Sequence, residues 1–366
     1  MRKFVHKRSS IIFLLVGLLV ACSDQSDEIQ PNTNTGGPPA VNDWLIPPAE
    51  VLDGGPGKDG IPSIDNPQFS DVSDITFLQD NDLVIGVKIG NDIRVYPHPV
   101  LDWHEIVNDK VADIPLAITY CPLTGTAIGW RREVAGAETN FGVSGLLYNA
   151  NLMPYDRVTD SRWSQMLLKS VNGSQAGVEV ETYPLLETTW STWKRLYPQS
   201  QVLNLNTGFS RNYGSYPYGD YRTNDELLIF PVSNDDDRLP RKDRGLGVLV
   251  NDKAKFYPID SFAQGPIEVI QETIQGVELV IIGSQTQNFI VAFERRLPDG
   301  TLLNLEGLDN AASDAVVKDQ EGNEWNLFGE AVQGPRIGAK LFAPTSFIGY
   351  WFAWGTFYRQ SDIYGQ

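Results

Sequence analysis

The sequence predicts a mostly β, α+β protein made of two tandem pseudo-repeats of a mixed β unit with few short helices. Three observations lead to this prediction. Short alternating or β-branched runs are separated by turn pairs, and helix signals are few. The chain also resembles itself at a constant offset of 161 residues, which places Tyr96-Pro97 on Tyr257-Pro258 and Trp190 on Trp351. Because this offset holds over a long stretch, we interpret it as an ancient duplication.

Strands are predicted from runs of alternating or β-branched residues. Gly90-Asn91 and Asn251-Asp252 separate such runs in each half, and these pairs favour hairpin turns. The predicted strands are 83–89, 93–96, 115–120 and 126–132 in the first half, and 245–250, 254–257, 277–282 and 289–293 in the second.

Two helices are predicted, both in the first half. One begins at His98-Pro99, with Pro at the first helical position and Val100, Trp103 and Val107 on one face. The other covers 190–196, is capped by Thr188 or Thr189, and ends at Tyr197-Pro198. Helices are therefore a minor part of a β architecture.

The offset and the composition divide the chain into five segments. Residues 60–205 form the first repeat and 245–366 the second. Between them, 206–244 is a connection rich in Tyr, Gly and Asp, which carries four tyrosines: Tyr213, Tyr216, Tyr218 and Tyr221. A connection of this length is often functional, and a packed linker is the alternative.

The N-terminus predicts export and lipid attachment. Basic residues precede an apolar run over 11–20, and Leu19-Val20-Ala21-Cys22 resembles the lipobox of bacterial lipoproteins. We therefore expect 1–21 to be a cleaved signal peptide, Cys22 to carry the lipid, and 22–45 to be a flexible tether. This predicts a protein anchored in the cell envelope, periplasmic or on the outer-membrane surface. An uncleaved N-terminal anchor is the alternative.

Charge and cysteine content limit the function. The formal net charge is −17, and loss of the basic signal makes it more negative. Nucleic acid is therefore excluded as a partner, since phosphates repel an acidic protein. The expected partners are the membrane, through Cys22, and a small molecule or an envelope protein. With Cys22 lipidated, Cys121 is the only thiol and no intrachain disulfide can form.

The second half serves as an internal control for the functional site. At the offset of 161 residues, His104 falls on Gly265, Cys121 on Ile282 and Asp156 on Val317. The chemically capable residues therefore occur in the first half alone. This places the site in residues 96–170.

Three motifs lie in that interval: WHEIVND at 103–109, YCPLTGTA at 120–127 and GVSGLLYNANLMPYDRVTDSRWSQ at 142–165. With these motifs the chain resembles domain of unknown function 3179 (DUF3179), roughly over 60–360. Some members of that family look like selenoproteins and many have CPLC, so the resemblance implies thiol redox chemistry. Here Thr124 stands in place of the second cysteine. One-thiol chemistry or a thiolate–metal bond therefore remains.

The first functional hypothesis is a thiol-dependent oxidoreductase that acts on a small molecule. Cys121 is its nucleophile, and His104 and Glu105 activate it. Substrate binding is assigned to five further residues: Asp156, Arg157, Gln165, Asn149 and Tyr148. This hypothesis predicts the Cys121 sulfur within about 3–4 Å of His104 or an arginine.

Two other hypotheses stay open. A copper-type metal-binding protein would use Cys121, His104 and His98, with Met153 as a weak ligand. A non-catalytic surface binding module would use the Trp- and Tyr-rich loops, and Cys121 would then be an ordinary buried residue. For His104, the corresponding structural interpretation is a core histidine whose hydrogen-bonding groups all have partners.

Overall fold

Antiparallel hairpins make up most of the chain in the computed structural model, which describes residues 44–308 and 314–366. The mostly β, α+β prediction is confirmed. The predicted signal peptide, Cys22 and nearly all of the predicted tether lie outside the described residues. Among the described residues, no helix is both long and apolar enough to cross a membrane.

The first half and the segment before it contain two α-helices and sixteen of the described strands. The helices are α1 (His98–His104) and α2 (Trp190–Leu196). The strands are β1 (Val51–Asp53), β2 (Phe69–Asp71), β3 (Leu83–Ile89), β4 (Asp92–Pro97), β5 (Ile106–Val111), β6 (Ile114–Cys121), β7 (Thr126–Arg131), β8 (Glu133–Val134), β9 (Ala137–Glu138), β10 (Phe141–Tyr148), β11 (Asn151–Asp156), β12 (Arg162–Ser164), β13 (Lys169–Asn172), β14 (Thr182–Tyr183), β15 (Leu186–Thr189) and β16 (Gln201–Leu203).

The second half contains one α-helix, α3 (Trp351–Phe357), among its described residues. Its strands are β17 (Arg244–Val250), β18 (Lys253–Pro258), β19 (Glu268–Ile274), β20 (Val277–Ser284), β21 (Phe289–Glu294), β22 (Leu305–Gly307), β23 (Ala315–Asp319), β24 (Glu324–Asn326), β25 (Ala331–Gln333), β26 (Ser346–Tyr350) and β27 (Asp362–Ile363). Short 3-10 helices cover Pro48–Glu50, Val72–Asp74, Tyr221–Thr223 and Ile259–Ser261.

The strands form several small sheets, and the strand orders of these sheets are similar in the two halves. In the first half the orders are β15-β3-β4-β16-β2, β14-β7-β6-β5 and β1-β10-β11-β12-β13. In the second they are β26-β17-β18-β27, β19-β20-β21 and β22-β23-β24-β25. Both β16–β4 and β27–β18 pair in parallel, among hairpins that are otherwise antiparallel. The duplication itself stays a prediction, which a superposition of the two halves would test.

The prediction of α2 is confirmed, whereas the prediction of α1 is wrong at the end of the helix. Helix α2 begins after Thr189, whose Oγ1 accepts a hydrogen bond from the Thr192 N–H at 3.3 Å. Helix α1 ends at His104, whereas the pattern had carried it through Val107. Residues from Ile106 onward belong to β5 and pair with β6, because β-branched side chains pack well on a sheet.

One of the buried clusters joins the two halves around the end of β6. It contains Cys121 and Leu123 from the first half with Tyr350 and Trp351 from the second. The Tyr350 N–H donates to the Thr124 carbonyl oxygen at 2.8 Å. Gly125 lies against the Tyr350 ring, and a Cβ there would be 2.9 Å from it. The turn after Cys121 is therefore fixed by contacts with the second half.

Candidate functional site

Cys121 is the last residue of β6, and it pairs in register with Thr126 of β7. Its side chain is 1% exposed, and its sulfur donates a hydrogen bond to the Ala150 carbonyl oxygen at 3.7 Å. The predicted position at the end of a buried strand is confirmed. The thiol therefore lies at the start of a tight turn but beneath the molecular surface.

The surroundings of the sulfur act on its pKa in opposite directions. Burial and the neighbouring Glu105 raise the pKa of the Cys121 thiol to about 11, because both disfavour the thiolate. The Thr124 hydroxyl and the backbone N–H groups of Thr124 and Leu152 lower it, since they donate to the sulfur. The thiol is thus protonated at neutral pH, while three donors are already positioned to stabilise a thiolate.

Glu105 comes near enough to this thiol to act on it electrostatically because of the way α1 ends. It is the C-cap residue, with φ 59°, and its N–H donates to the Leu101 carbonyl at 2.8 Å. A positive φ is unusual for a residue with a long side chain, and such strain is concentrated at functional sites. The Glu105 carbonyl accepts from the Tyr120 N–H at 2.7 Å, which ties the helix end to β6.

The Glu105 carboxyl is nearly buried, with 6% of the residue exposed. Across residues 44–308 and 314–366, no group forms a hydrogen bond with this carboxyl. Burial raises the pKa of Glu105 to about 8. A carboxyl group with a pKa near neutrality, beside the only described thiol, has the property required of a general acid or base.

Two tyrosines of the 206–244 connection lie over this pair. Tyr218 interacts electrostatically with both Glu105 and Cys121, and Tyr221 interacts with Cys121. Burial raises the pKa of both phenols. The Tyr221 hydroxyl is buried without a hydrogen-bond partner among the described residues. The connection is therefore packed directly over the thiol.

A buried network of threonine and amide side chains holds Thr124, in the turn that follows Cys121. The Asn151 Nδ2 donates to the Thr124 Oγ1 at 3.0 Å and to the Gln165 Oε1 at 2.8 Å. The Gln165 Nε2 in turn donates to the Thr119 Oγ1 at 2.9 Å. Gln165, predicted to bind substrate, is fully buried, and it is linked to Thr124 through Asn151.

His104 is not brought to Cys121, which contradicts the predicted thiol–imidazole contact. Its Nδ1 donates to the Pro62 carbonyl at 2.7 Å, so its Nε2 accepts from the Tyr213 hydroxyl, also at 2.7 Å. Burial lowers the pKa of His104, which favours this neutral form. The reading of a satisfied core histidine fits this geometry. No arginine is paired with the sulfur in the described structure either.

The proposed copper ligands are also separated. The His98 Nε2 lies 3.2 Å from the Glu187 Oε2, away from Cys121 and His104. In the part of the chain that the structure describes, no group of three His, Cys, Asp or Glu side chains is arranged to hold a metal ion. The ligand set of Cys121, His104 and His98 is therefore not assembled.

Two further predicted substrate residues, Asp156 and Arg157, make local contacts in the structure. Asp156 accepts from the Thr159 N–H at 2.6 Å and from the Trp163 Nε1 at 3.0 Å. Arg157 forms an ion pair with Asp59 at 3.0 Å. These contacts tie loops together and do not converge on Cys121.

Tyr148 and Asn149, also predicted to bind substrate, directly precede the residue that contacts the Cys121 sulfur. Asn149 has φ 50° in the turn between β10 and β11, and its Oδ1 accepts from the Ser233 N–H at 2.8 Å. Tyr148 packs edge-on against Phe357. The next residue in the turn is Ala150, the acceptor of the Cys121 thiol. Asn149 thus attaches the connection beside the thiol.

Sequence reasoning missed Tyr218 and Tyr221 as site residues. The tyrosine-rich composition of the connection was the available signal, but nothing in the sequence aligned it with Cys121. The contact depends on long-range packing alone.

A family model described as "Protein of unknown function (DUF3179)" matches residues 58–361, which is most of the chain. The chain belongs to the DUF3179 family. No curated protein and no solved structure matches it. The DUF3179 match includes Glu105, Cys121, Thr124 and the whole connection, so every part of the site lies within the family region.

Proposed function

We propose that this DUF3179 protein carries out one-thiol redox chemistry on a small molecule, with Cys121 as the redox centre and Glu105 as its proton acceptor. One observation carries the proposal: the unpaired, buried Glu105 carboxyl is near enough to the thiol to raise the thiol pKa, and burial raises its own pKa to about 8. Glu105 takes the role that the sequence had divided between His104 and Glu105.

The proposed reaction uses a hydroperoxide as the oxidant. The sulfur attacks one peroxide oxygen, an S–O bond forms, and the O–O bond breaks. Cysteine is oxidised to a sulfenic acid, and the peroxide is reduced to an alcohol or water. Glu105 accepts the thiol proton and returns it to the leaving oxygen, so no net charge accumulates in the buried site.

The hydrogen-bond donors around the sulfur support this proposal. The Thr124 N–H, Thr124 hydroxyl and Leu152 N–H favour the thiolate that forms as the proton leaves. They are held by backbone and by the Asn151–Thr124 hydrogen bond, so they need no rearrangement during the reaction. Tyr218 is only partly buried, and we place substrate entry at this side chain.

The test measures sulfenic acid formation at Cys121 as a function of pH, by trapping and mass spectrometry after exposure to a hydroperoxide. The rate of the wild-type protein should rise as pH increases through about 8, because only ionised Glu105 accepts a proton. Glu105→Gln should lose this step and slow the reaction by roughly 100-fold or more.

Glu133→Gln is the matched control, because Glu133 is an exposed glutamate of β8. It should react like the wild-type protein. An unchanged rate and pH profile in Glu105→Gln would contradict the role of Glu105. A Cys121 thiol that resists both peroxide and thiol probes in the folded protein would contradict the whole proposal.

We also propose that the protein acts at the cell envelope, anchored by lipid on Cys22 after removal of 1–21. The lipobox and the basic, then apolar, N-terminus support this location. Cys22→Ser should move the protein from the membrane fraction to the soluble fraction of the exporting cell, since the acyl chains provide the membrane affinity. Retention of the variant in the membrane would indicate an uncleaved anchor.

A further inference from the structure

A cavity of about 130 Å³ lies where the first half, the connection and the second half meet. Its lining includes His98 and Tyr120 from the first half, Arg222 and Lys242 from the connection, and Arg244 and Tyr350 from the second half. We call it the junction cavity. Since a single water needs only about 10–15 Å³ of such space, the cavity has room for a small polyatomic ligand.

Cations predominate in the junction cavity. Arg222 Nη2 donates to both carboxylate oxygens of Asp102 at 2.8 Å, and Arg244 forms an ion pair with Glu187. Each arginine thus has one carboxylate partner. Lys242 is left as a third cation without an ion pair among the described side chains.

Lys242 is buried in an aromatic environment. Its Nζ lies 3.7 Å from the centre of the Tyr221 ring and 4.9 Å from that of Phe352. One of its three N–H donors reaches the Leu227 carbonyl at 2.9 Å. The Asp225 carboxylate interacts with Lys242 electrostatically, but its Oδ1 accepts from the Lys242 backbone N–H. Burial lowers the pKa of Lys242 to about 8, so an anion in the cavity would stabilise its charged form.

His98 provides the second, independent observation. The residue is 3% exposed, and its Nε2 is buried with no hydrogen-bond partner among the described residues. The Glu187 Oε2 is 3.2 Å away but is not aligned for a hydrogen bond. Because an unsatisfied buried polar group costs free energy, such an atom beside a cavity marks a place for a ligand.

We propose that the junction cavity binds a small oxyanion, a phosphate or carboxylate group, through Lys242, Arg222, Arg244 and His98. This goes beyond the proposed thiol chemistry. Tyr120 precedes Cys121 in β6, and consecutive side chains of a strand point to opposite faces. The two side chains accordingly belong to different buried clusters. Cys121 itself is not among the residues that line the junction cavity, although Tyr350, which does line it, belongs to the same buried cluster as Cys121.

The test is isothermal titration of the full-length protein in detergent with inorganic phosphate and, separately, with acetate. Sodium chloride at equal ionic strength is the reference. Binding of phosphate alone assigns a phosphate group, and binding of acetate alone assigns a carboxylate. Lys242→Gln and His98→Asn should each weaken binding by roughly tenfold or more, because each removes a buried donor to a charged ligand.

Lys253→Gln is the matched control, since this exposed lysine begins β18 and is not among the cavity residues. Cys121→Ser should bind the anion with wild-type affinity, which separates this proposal from the redox function. Wild-type protein that binds neither anion above the chloride reference would overturn the proposal. Unchanged affinity in a folded His98→Asn variant would do the same, even if Lys242→Gln does not fold.

Discussion

The hairpin that carries Cys121 and its counterpart in the second half have the same turn geometry but different chemistry. Each has a four-residue turn that ends in a residue of positive φ, Gly125 at 59° and Asn288 at 55°. In the first, the Thr124 N–H acts on the Cys121 sulfur. In the second, the Gln287 N–H donates to the Ser284 Oγ at 3.2 Å. The Ser284 hydroxyl oxygen thus accepts in the second hairpin where the Cys121 sulfur does so in the first.

A comparison of the two halves by their strand ends gives a different match from the fixed offset of 161 residues. That offset placed Ile282 against Cys121, whereas the strand ends match Cys121 with Ser284. It also placed Val317 against Asp156. Asp319 ends β23 as Asp156 ends β11, and both carboxylates accept from a tryptophan indole. Asp156 and Asp319 thus make the same kind of local contact, and the internal control does not single out Asp156.

The difference that remains is in the residue after the helix. Glu105 caps α1 beside Cys121, whereas Phe262 caps the 3-10 helix of the second half. The Phe262 ring packs against Gly283, where an added Cβ would be 2.4 Å from it. The residue after the helix is thus aromatic in the second half, whereas in the first half it is a titratable glutamate. The turn is a scaffold, and the chemistry depends on what lies against it.

The largest effect is expected from moving the cysteine from position 121 to position 284. Cys121→Ser should abolish peroxide-dependent sulfenic acid formation, because it removes the only described thiol. Adding Ser284→Cys to that variant restores a buried thiol at the end of an equivalent strand. We expect this thiol to react roughly 100-fold more slowly than Cys121, since Phe262, the residue that follows the helix in this half, has no carboxyl to accept a proton. Trapping and mass spectrometry would measure both rates.

A comparable rate at the two positions would show that the turn alone activates the sulfur and that Glu105 is dispensable. Circular dichroism of both variants is the control for folding. The Cys-to-Ser and Ser-to-Cys changes are nearly isosteric, so both proteins should keep the wild-type spectrum.

Much of the fold was predictable because it follows from local pattern. Alternation gave the β3–β4 and β6–β7 hairpins nearly to the residue, and Thr189 marked the start of α2. The end of α1 was not predictable in this way. Ile106 is drawn into β5 by pairing with Thr119, and tertiary pairing of this kind overrides a helical pattern.

The site was predictable only in part, for the same reason. Cys121 and Glu105 stood out in compact motifs. His104 was wrongly joined to them because the positive φ of Glu105 turns the chain, and adjacent side chains go to different neighbours. Tyr218 and Lys242 follow far along the chain. Only packing of the connection brings them to β6 and to the junction cavity.

A smaller effect should distinguish structural from functional carboxylates. Asp156→Asn and Asp319→Asn each weaken charge-assisted bonds to a tryptophan indole and to backbone N–H groups. We expect each to lower the free energy of unfolding by about 1.5–3 kcal/mol at pH 7, measured by denaturant titration.

Burial opposes ionisation of Asp319, but hydrogen bonds from Asn323 outweigh it and lower the pKa of Asp319. Its contribution to stability is therefore present above the unfolded pKa and is lost as pH falls through the folded pKa. The deficit of Asp319→Asn should shrink in acid accordingly. Asp156→Asn should leave the rate of Cys121 oxidation unchanged, and a large fall in that rate without loss of stability would return Asp156 to the substrate site.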